Sequence, residues 1–110
     1  MITLKTLPEA TAQQVFDQVK AHLLEQMTKS ITSQATCHYH LNDLRCAAGC
    51  LITEDEYKPE MEGNTWKKLV QRKLVPPNHQ ELITRLQIIH DDFPPEYWET
   101  LMDDMWLKYF

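Results

Sequence analysis

The sequence predicts a predominantly helical α+β fold, about four to five helices with one β-hairpin near residues 36–48, and three observations carry that expectation. Apolar residues recur at helical spacing in Val15, Phe16, Val19 and Leu23, and again in Leu82, Ile83, Leu86 and Ile89. Between these stretches the pattern changes to strict alternation from Cys37 to Ala48. The pairs Pro76-Pro77 and Pro94-Pro95 then cut the C-terminal half into separate helical segments, because proline lacks a backbone donor and clashes with the preceding turn.

The first helix is expected to begin near Thr11, whose hydroxyl can cap the backbone while Gln14 reaches back in a capping box. Its inward stripe is Val15, Phe16, Val19, Leu23, Leu24 and Met27, and it ends before the short polar stretch Ser30 to Thr36. In the hairpin, an Asn42-Asp43 turn sets Leu41 opposite Leu44 and Tyr39 opposite Cys46. One face then carries Cys37, Tyr39, Leu41, Leu44, Cys46 and Ala48, and the other His38, His40 and Arg45. Gly49 ends the alternation. Thr53 and Glu56 form a second capping-box signature, which predicts a short helix stopped by Pro59. Asn64 is expected to cap a helix carrying Trp66, Leu69 and Val70 and ended by Pro76-Pro77; Asn78, with Glu81 three residues on, opens the next. The last helix follows Pro94-Pro95 and buries Trp98, Leu101, Met102, Met105, Trp106 and Tyr109.

With 110 residues, 43% of them hydrophobic and 25% charged, the chain is expected to be a single globular domain over 1–110. No apolar run approaches the ~18 residues of a membrane span, and Met1 to Ala10 lacks the apolar centre of a secretory leader, so a cytoplasmic protein without membrane association is expected. The formal charge of −5 disfavours direct nucleic-acid binding, which needs a local excess of Lys and Arg at the phosphates. Charge is also uneven along the chain. Lys58, Lys67, Lys68, Arg72 and Lys73 gather in the middle, whereas Asp91, Asp92, Glu96, Glu99, Asp103 and Asp104 follow without a Lys or Arg until Lys108.

The odd number of cysteines, Cys37, Cys46 and Cys50, argues for reduced thiols or a metal rather than a disulfide framework. Cys37-His38-Tyr39 is followed by Cys46-Ala47-Ala48-Gly49-Cys50-Leu51-Ile52, then by Glu56-Tyr57, Glu62-Gly63 and Gln87-Ile88-Ile89-His90-Asp91. In these segments, from the first helix to Asp91, the chain resembles a family of short phage and bacterial proteins. The family's usual Arg-containing, Gly-turned hairpin is replaced here by His40 and Asn42-Asp43, so no role of that loop carries over. The resemblance implies no activity. It implies a phage or mobile-element origin, hence the host cytoplasm, where small acidic proteins often bind and block a host protein.

Three chemistries are open to these residues. A zinc site could draw on Cys37, Cys46, Cys50 and His90, since thiolate and imidazole suit a tetrahedral shell, with His79 as a substitute imidazole; His40 points to the wrong face, and no C-x-x-C pair is present. The competing reading is that the thiols fill a core beside Tyr39. A thiol nucleophile could be built from Cys46 or Cys50 with His90 as base and Asp91 as its orienting carboxylate. Against it, adjacent helical residues point roughly 100° apart, and a protonated His90 at a helix end would be accounted for by the terminal carbonyls alone. A partner-binding surface could use Glu96, Glu99, Asp103 and Asp104 of the last helix, with Trp98, Trp106, Tyr109 and Phe110 as aromatic anchors for a host protein or a second copy of the chain. The expectation from sequence is therefore a non-enzymatic interaction or inhibitor protein without a cofactor; the alternative is a cysteine-dependent enzyme or small zinc domain.

Overall fold

The computed structural model describes all residues, 1–110, as four α-helices and a two-stranded antiparallel hairpin. Helix α1 (Ala12–Gln26) starts with both bonds of the Thr11–Gln14 capping box and buries Val15, Phe16, Val19 and Leu23. It closes at Met27, which takes a left-handed conformation (φ 46°) and turns its side chain outward, 45% exposed, instead of extending the buried stripe. The Asn42-Asp43 turn and the Leu41–Leu44 pairing are as the alternation requires, with Asn42 supplying the positive φ of 54°. The strands are only two residues each, β1 (His40–Leu41) and β2 (Leu44–Arg45), though the Cys46 N–H still donates to the Tyr39 carbonyl at 3.3 Å. Cys37 makes an isolated bridge to Ile31 instead of prolonging the hairpin, and Ala48–Leu51 coils into a 3₁₀ turn that packs against α1 and the third α-helix.

The Thr53–Glu56 box forms both of its hydrogen bonds but starts no helix. Lys58 precedes Pro59 and is held extended (φ −128°, ψ 131°), as the proline ring demands, so the turn cannot propagate. Helix α2 (Trp66–Gln71) is capped by Thr65, not Asn64, whose amide donates to the Glu60 carbonyl. It ends before the prolines, at Arg72, with Lys73 left-handed (φ 59°). Helix α3 (Gln80–Asp92) opens at His79 rather than Asn78: His79 is left-handed (φ 61°) and its Nε2 bonds the Ala10 carbonyl at 2.7 Å, a contact far along the chain that sets where the helix begins. Helix α4 (Trp98–Tyr109) follows a 3₁₀ turn at Pro95–Tyr97 and buries Trp98, Met102 and Met105. Leu101 and Trp106 are half-buried, and Tyr109 is exposed rather than inward, lying under the Arg85 guanidinium at 3.5 Å.

Helix α3 is the central element, packed against α1, α2 and α4. One contiguous core of 23 buried residues runs through all four helices and takes in Tyr39, Cys46, Ala47 and Ala48 from the hairpin segment. Aromatic pairs tie its ends: Phe16 stacks on Trp106 at 4.7 Å, and His90 on Trp98 at 5.4 Å. No helix is long and apolar enough to cross a membrane.

Candidate functional site

The hairpin segment, the start of α2 and the last turns of α3 enclose a cavity of about 300 Å³. Cys37, Tyr39 and Cys46 come from the hairpin segment, Trp66 from α2, and Thr84, Gln87, Ile88 and Asp91 from one stripe of α3 at helical spacing. Three hydrogen-bonded groups shape these walls. Glu62 is the first: its carboxylate accepts the Tyr39 N–H at 2.8 Å, the His40 N–H at 3.2 Å and the Tyr57 hydroxyl at 2.8 Å. Glu62 thus supplies the acceptors for two consecutive backbone N–H groups at the start of the short hairpin. Tyr57 in turn stacks on His40 at 4.4 Å, and His40 Nε2 bonds the carbonyls of Gly49 and Ile52.

Gly49 is the second. A Cβ there would lie 2.0 Å from the Tyr39 carbonyl oxygen, so only glycine lets the 3₁₀ turn seat against the hairpin. The third is a relay from Ala48 to Ser30. The Ala48 N–H donates to Gln87 Oε1 (2.9 Å), Gln87 Nε2 donates to Asp91 Oδ1 (2.7 Å), and the same oxygen faces His90 Nδ1 at 2.7 Å. The far side of the ring, Nε2, receives the Ser30 backbone N–H at 3.0 Å, and the Ser30 carbonyl accepts the His38 N–H. A backbone amide can only donate, so Nε2 is an acceptor and Nδ1 carries the proton shared with Asp91. His90 is thus held as one neutral tautomer, fully buried against Trp98.

That tautomer bears on both chemistries expected of the cysteines. Cys37, His90 and Asp91 do converge, their ligand atoms lying within 4.8 Å of one another, while Cys46 and Cys50 lie outside this group. A histidine that ligates a metal donates its second N–H to an acceptor; here the second nitrogen meets a donor, so binding through Nδ1 would demand an imidazolate. The donor set therefore does not suit zinc. A general base for a thiol would use Nε2, which Ser30 already occupies. Asp91 nevertheless reaches His90 at 2.7 Å, despite the roughly 100° between successive side-chain directions on a helix.

The thiols are poor nucleophiles as well. Burial pushes Cys37 up to about 11, and the nearby Asp91 charge adds to it. Burial pushes Cys50 up to about 12 and Cys46 higher still, against the Gly49 N–H that points at its sulfur. Cys50 is turned away, its thiol donating to the Ala47 carbonyl. His79, bound to Ala10, is remote from all three in its bonding.

The acidic residues lie elsewhere. Glu96 sits in the turn before α4 and not on the helix, Glu99 and Asp104 are exposed, and Asp103 is paired with Lys20 at 2.7 Å. Sequence reasoning did not assign roles to Glu62, Tyr57 or Gln87. Only the Gln87–Asp91 pair had a local signal, its i, i+4 spacing on a helix. Compared with protein-family models, with curated proteins and with solved structures, the chain finds no match.

Proposed function

We propose that this protein works by binding another protein, a host protein in the cytoplasm if the chain is of phage origin, and that it blocks that partner rather than transforming a substrate. The observation that carries the reading is where apolar surface is left uncovered. Of eight large exposed hydrophobic residues, six fall between α3 and the end of α4: Ile88, Phe93, Tyr97, Leu107, Tyr109 and Phe110. Ile88, Phe93 and Tyr109 border a groove of about 460 Å³ between the two helices, floored by Ile89, Leu101 and Met105. Leaving apolar surface in water costs about 25 cal/mol per Å², and an exposed apolar patch such as the one bordering this groove marks an interaction surface. Arg85, Asp104 and Lys108 beside the groove, with Glu99 nearby in sequence, supply the charged surroundings of such a patch. The raised thiols and the occupied Nε2 of His90 weigh against the cysteine-enzyme alternative.

The test is affinity capture from host extract with the wild-type chain, with F93S/L107E, and with M27S as a control at an unrelated exposed apolar site. A stoichiometric partner kept by wild type and M27S and lost by F93S/L107E is expected. Repeated recovery of none, or equal recovery by all three, overturns the reading. Sedimentation of the free protein separates one special case: a dimer dispersed by F93S/L107E would make a second copy of the chain the partner.

A further inference from the structure

We infer that the cationic cleft beside α2 docks the acidic turn Asp92 to Glu96 of a second copy of this chain. The cleft, about 600 Å³ and open to solvent, is lined by apolar Val70, Leu74, Pro76 and Pro77 and by Lys5 and Lys73, with no Asp or Glu among its walls. Lys67 lies three residues before Val70, on the same side of α2, and Lys68 and Arg72 are exposed beside it. Glu56 reaches this region, but both of its oxygens are taken up by the backbone N–H groups of Leu4, Lys5 and Thr53. The ion pairs within the chain engage Lys20, Arg45, Arg85, His38 and His90, so Lys5, Lys67, Lys68, Arg72 and Lys73 take part in none. Lys73 adds an independent observation. It is the left-handed residue (φ 59°) that closes α2, and the Leu74 N–H after it bonds the Leu69 carbonyl at 3.0 Å. Backbone geometry favours glycine there, so a lysine at the cleft is set against local stability.

The complement to this cleft is present in the chain itself. Asp92, Glu96 and Glu99 are exposed and take part in no ion pair either. Between the first two, Phe93 (φ −127°, ψ 147°) and Pro94 (φ −64°, ψ 150°) are extended and exposed, and Tyr97 follows at 55% exposure. The turn therefore offers carboxylates around apolar side chains in a shape that two prolines already hold, so docking it costs little ordering. Cations and carboxylates left unpaired within one chain are matched by placing the turn of one copy in the cleft of the next. This contact is distinct from the α3–α4 groove and does not depend on it, although Phe93 borders that groove.

Sedimentation equilibrium of the full chain, at up to about millimolar protein, is the test. Association is expected that weakens as salt rises from about 0.1 M, where the Debye length is already about 10 Å, to about 0.5 M. K67E/K73E alone and D92K/E96K alone should each be monomeric, because each variant brings like charges together. An equimolar mixture of the two should associate again, which also shows that both variants are folded. K73G relaxes the left-handed backbone, so it should raise Tm yet weaken association about two- to fivefold, the weight of one exposed charge pair. L107S, on the far turn of α4, should associate as wild type does. A wild-type chain that stays monomeric throughout, or a mixture that does not recover, overturns the inference. So does association that strengthens with salt and is lost in L107S, which would place the second copy on the α3–α4 side instead. A monomer that binds oligothymidylate and loses it in K67E/K73E would also overturn it, making nucleic acid the occupant of the cleft.

Discussion

A single methyl group at Gly49 would meet the Tyr39 carbonyl at 2.0 Å, and backbone on both sides leaves it nowhere to go. G49A is expected to cost about 3 kcal/mol or more, at the upper end of overpacking penalties, read as a fall in the urea midpoint. His90 is the second residue on which much depends. H90F would keep the stack on Trp98 but leave the Ser30 N–H unpaired, an expected loss of about 2 kcal/mol. Because Nε2 is an acceptor, added zinc should not raise Tm; a zinc-dependent rise abolished by C37S would show that the ring can be turned over to a metal. His22 and His40 carry a pH signature. Burial lowers both from the ordinary 6.5, outweighing the carbonyl bonds their rings make, so the unfolded chain takes up protons first. Their contribution is intact above about pH 6.5 and lost as pH falls from there toward the folded values, and H40Q should flatten part of that slope in urea titrations.

At the scale of elements, the two capping boxes differ in outcome. Thr11–Gln14 opens α1, and T11A should cost about 1 kcal/mol. Thr53–Glu56 instead becomes a clasp, its carboxylate also accepting the N–H groups of Leu4 and Lys5 and so pinning the N-terminal segment. Burial raises Glu56, but the amides of Thr53, Leu4 and Lys5 more than offset this and hold it below the ordinary 4.5, so its share of stability goes only as pH falls below that, a lower window than the histidines'. The hairpin depends on Glu62 in a similar way. E62A should cost about 2–4 kcal/mol, since it strips acceptors from two amides and a hydroxyl, and E62Q, keeping one acceptor oxygen, should recover part of it. Both box signatures were legible because their partners are three residues apart. Glu62 was not, because the two amides it binds lie more than twenty residues upstream and nothing local marks a glutamate as their acceptor.

On the scale of the whole molecule, the balance of surface and core decides which substitutions matter. Leu107 is 82% exposed, so L107E should leave stability within about 0.5 kcal/mol while removing the most exposed apolar side chain of α4. A larger loss on thermal melting would mean that Leu107 packs in solution against something, the same chain included. The net charge of −5 disfavours self-association at low salt, so a sedimentation series with increasing salt is the sensitive form of that measurement. Four helices and the hairpin turn were readable in the chain alone, because apolar period, capping hydroxyls and proline act over a few residues, whereas the helix expected after Thr53 does not form. The sequence also placed Leu82, Ile83, Leu86 and Ile89 in the core, since helical spacing alone puts them on one face. Only the tertiary structure decided that Cys37, rather than Cys46 or Cys50, meets His90 and Asp91, and that His90 is a neutral acceptor for Ser30. The physical reason is that these partners are brought together by packing across α3, 53 to 60 residues apart in the chain, where no local pattern constrains which atoms meet.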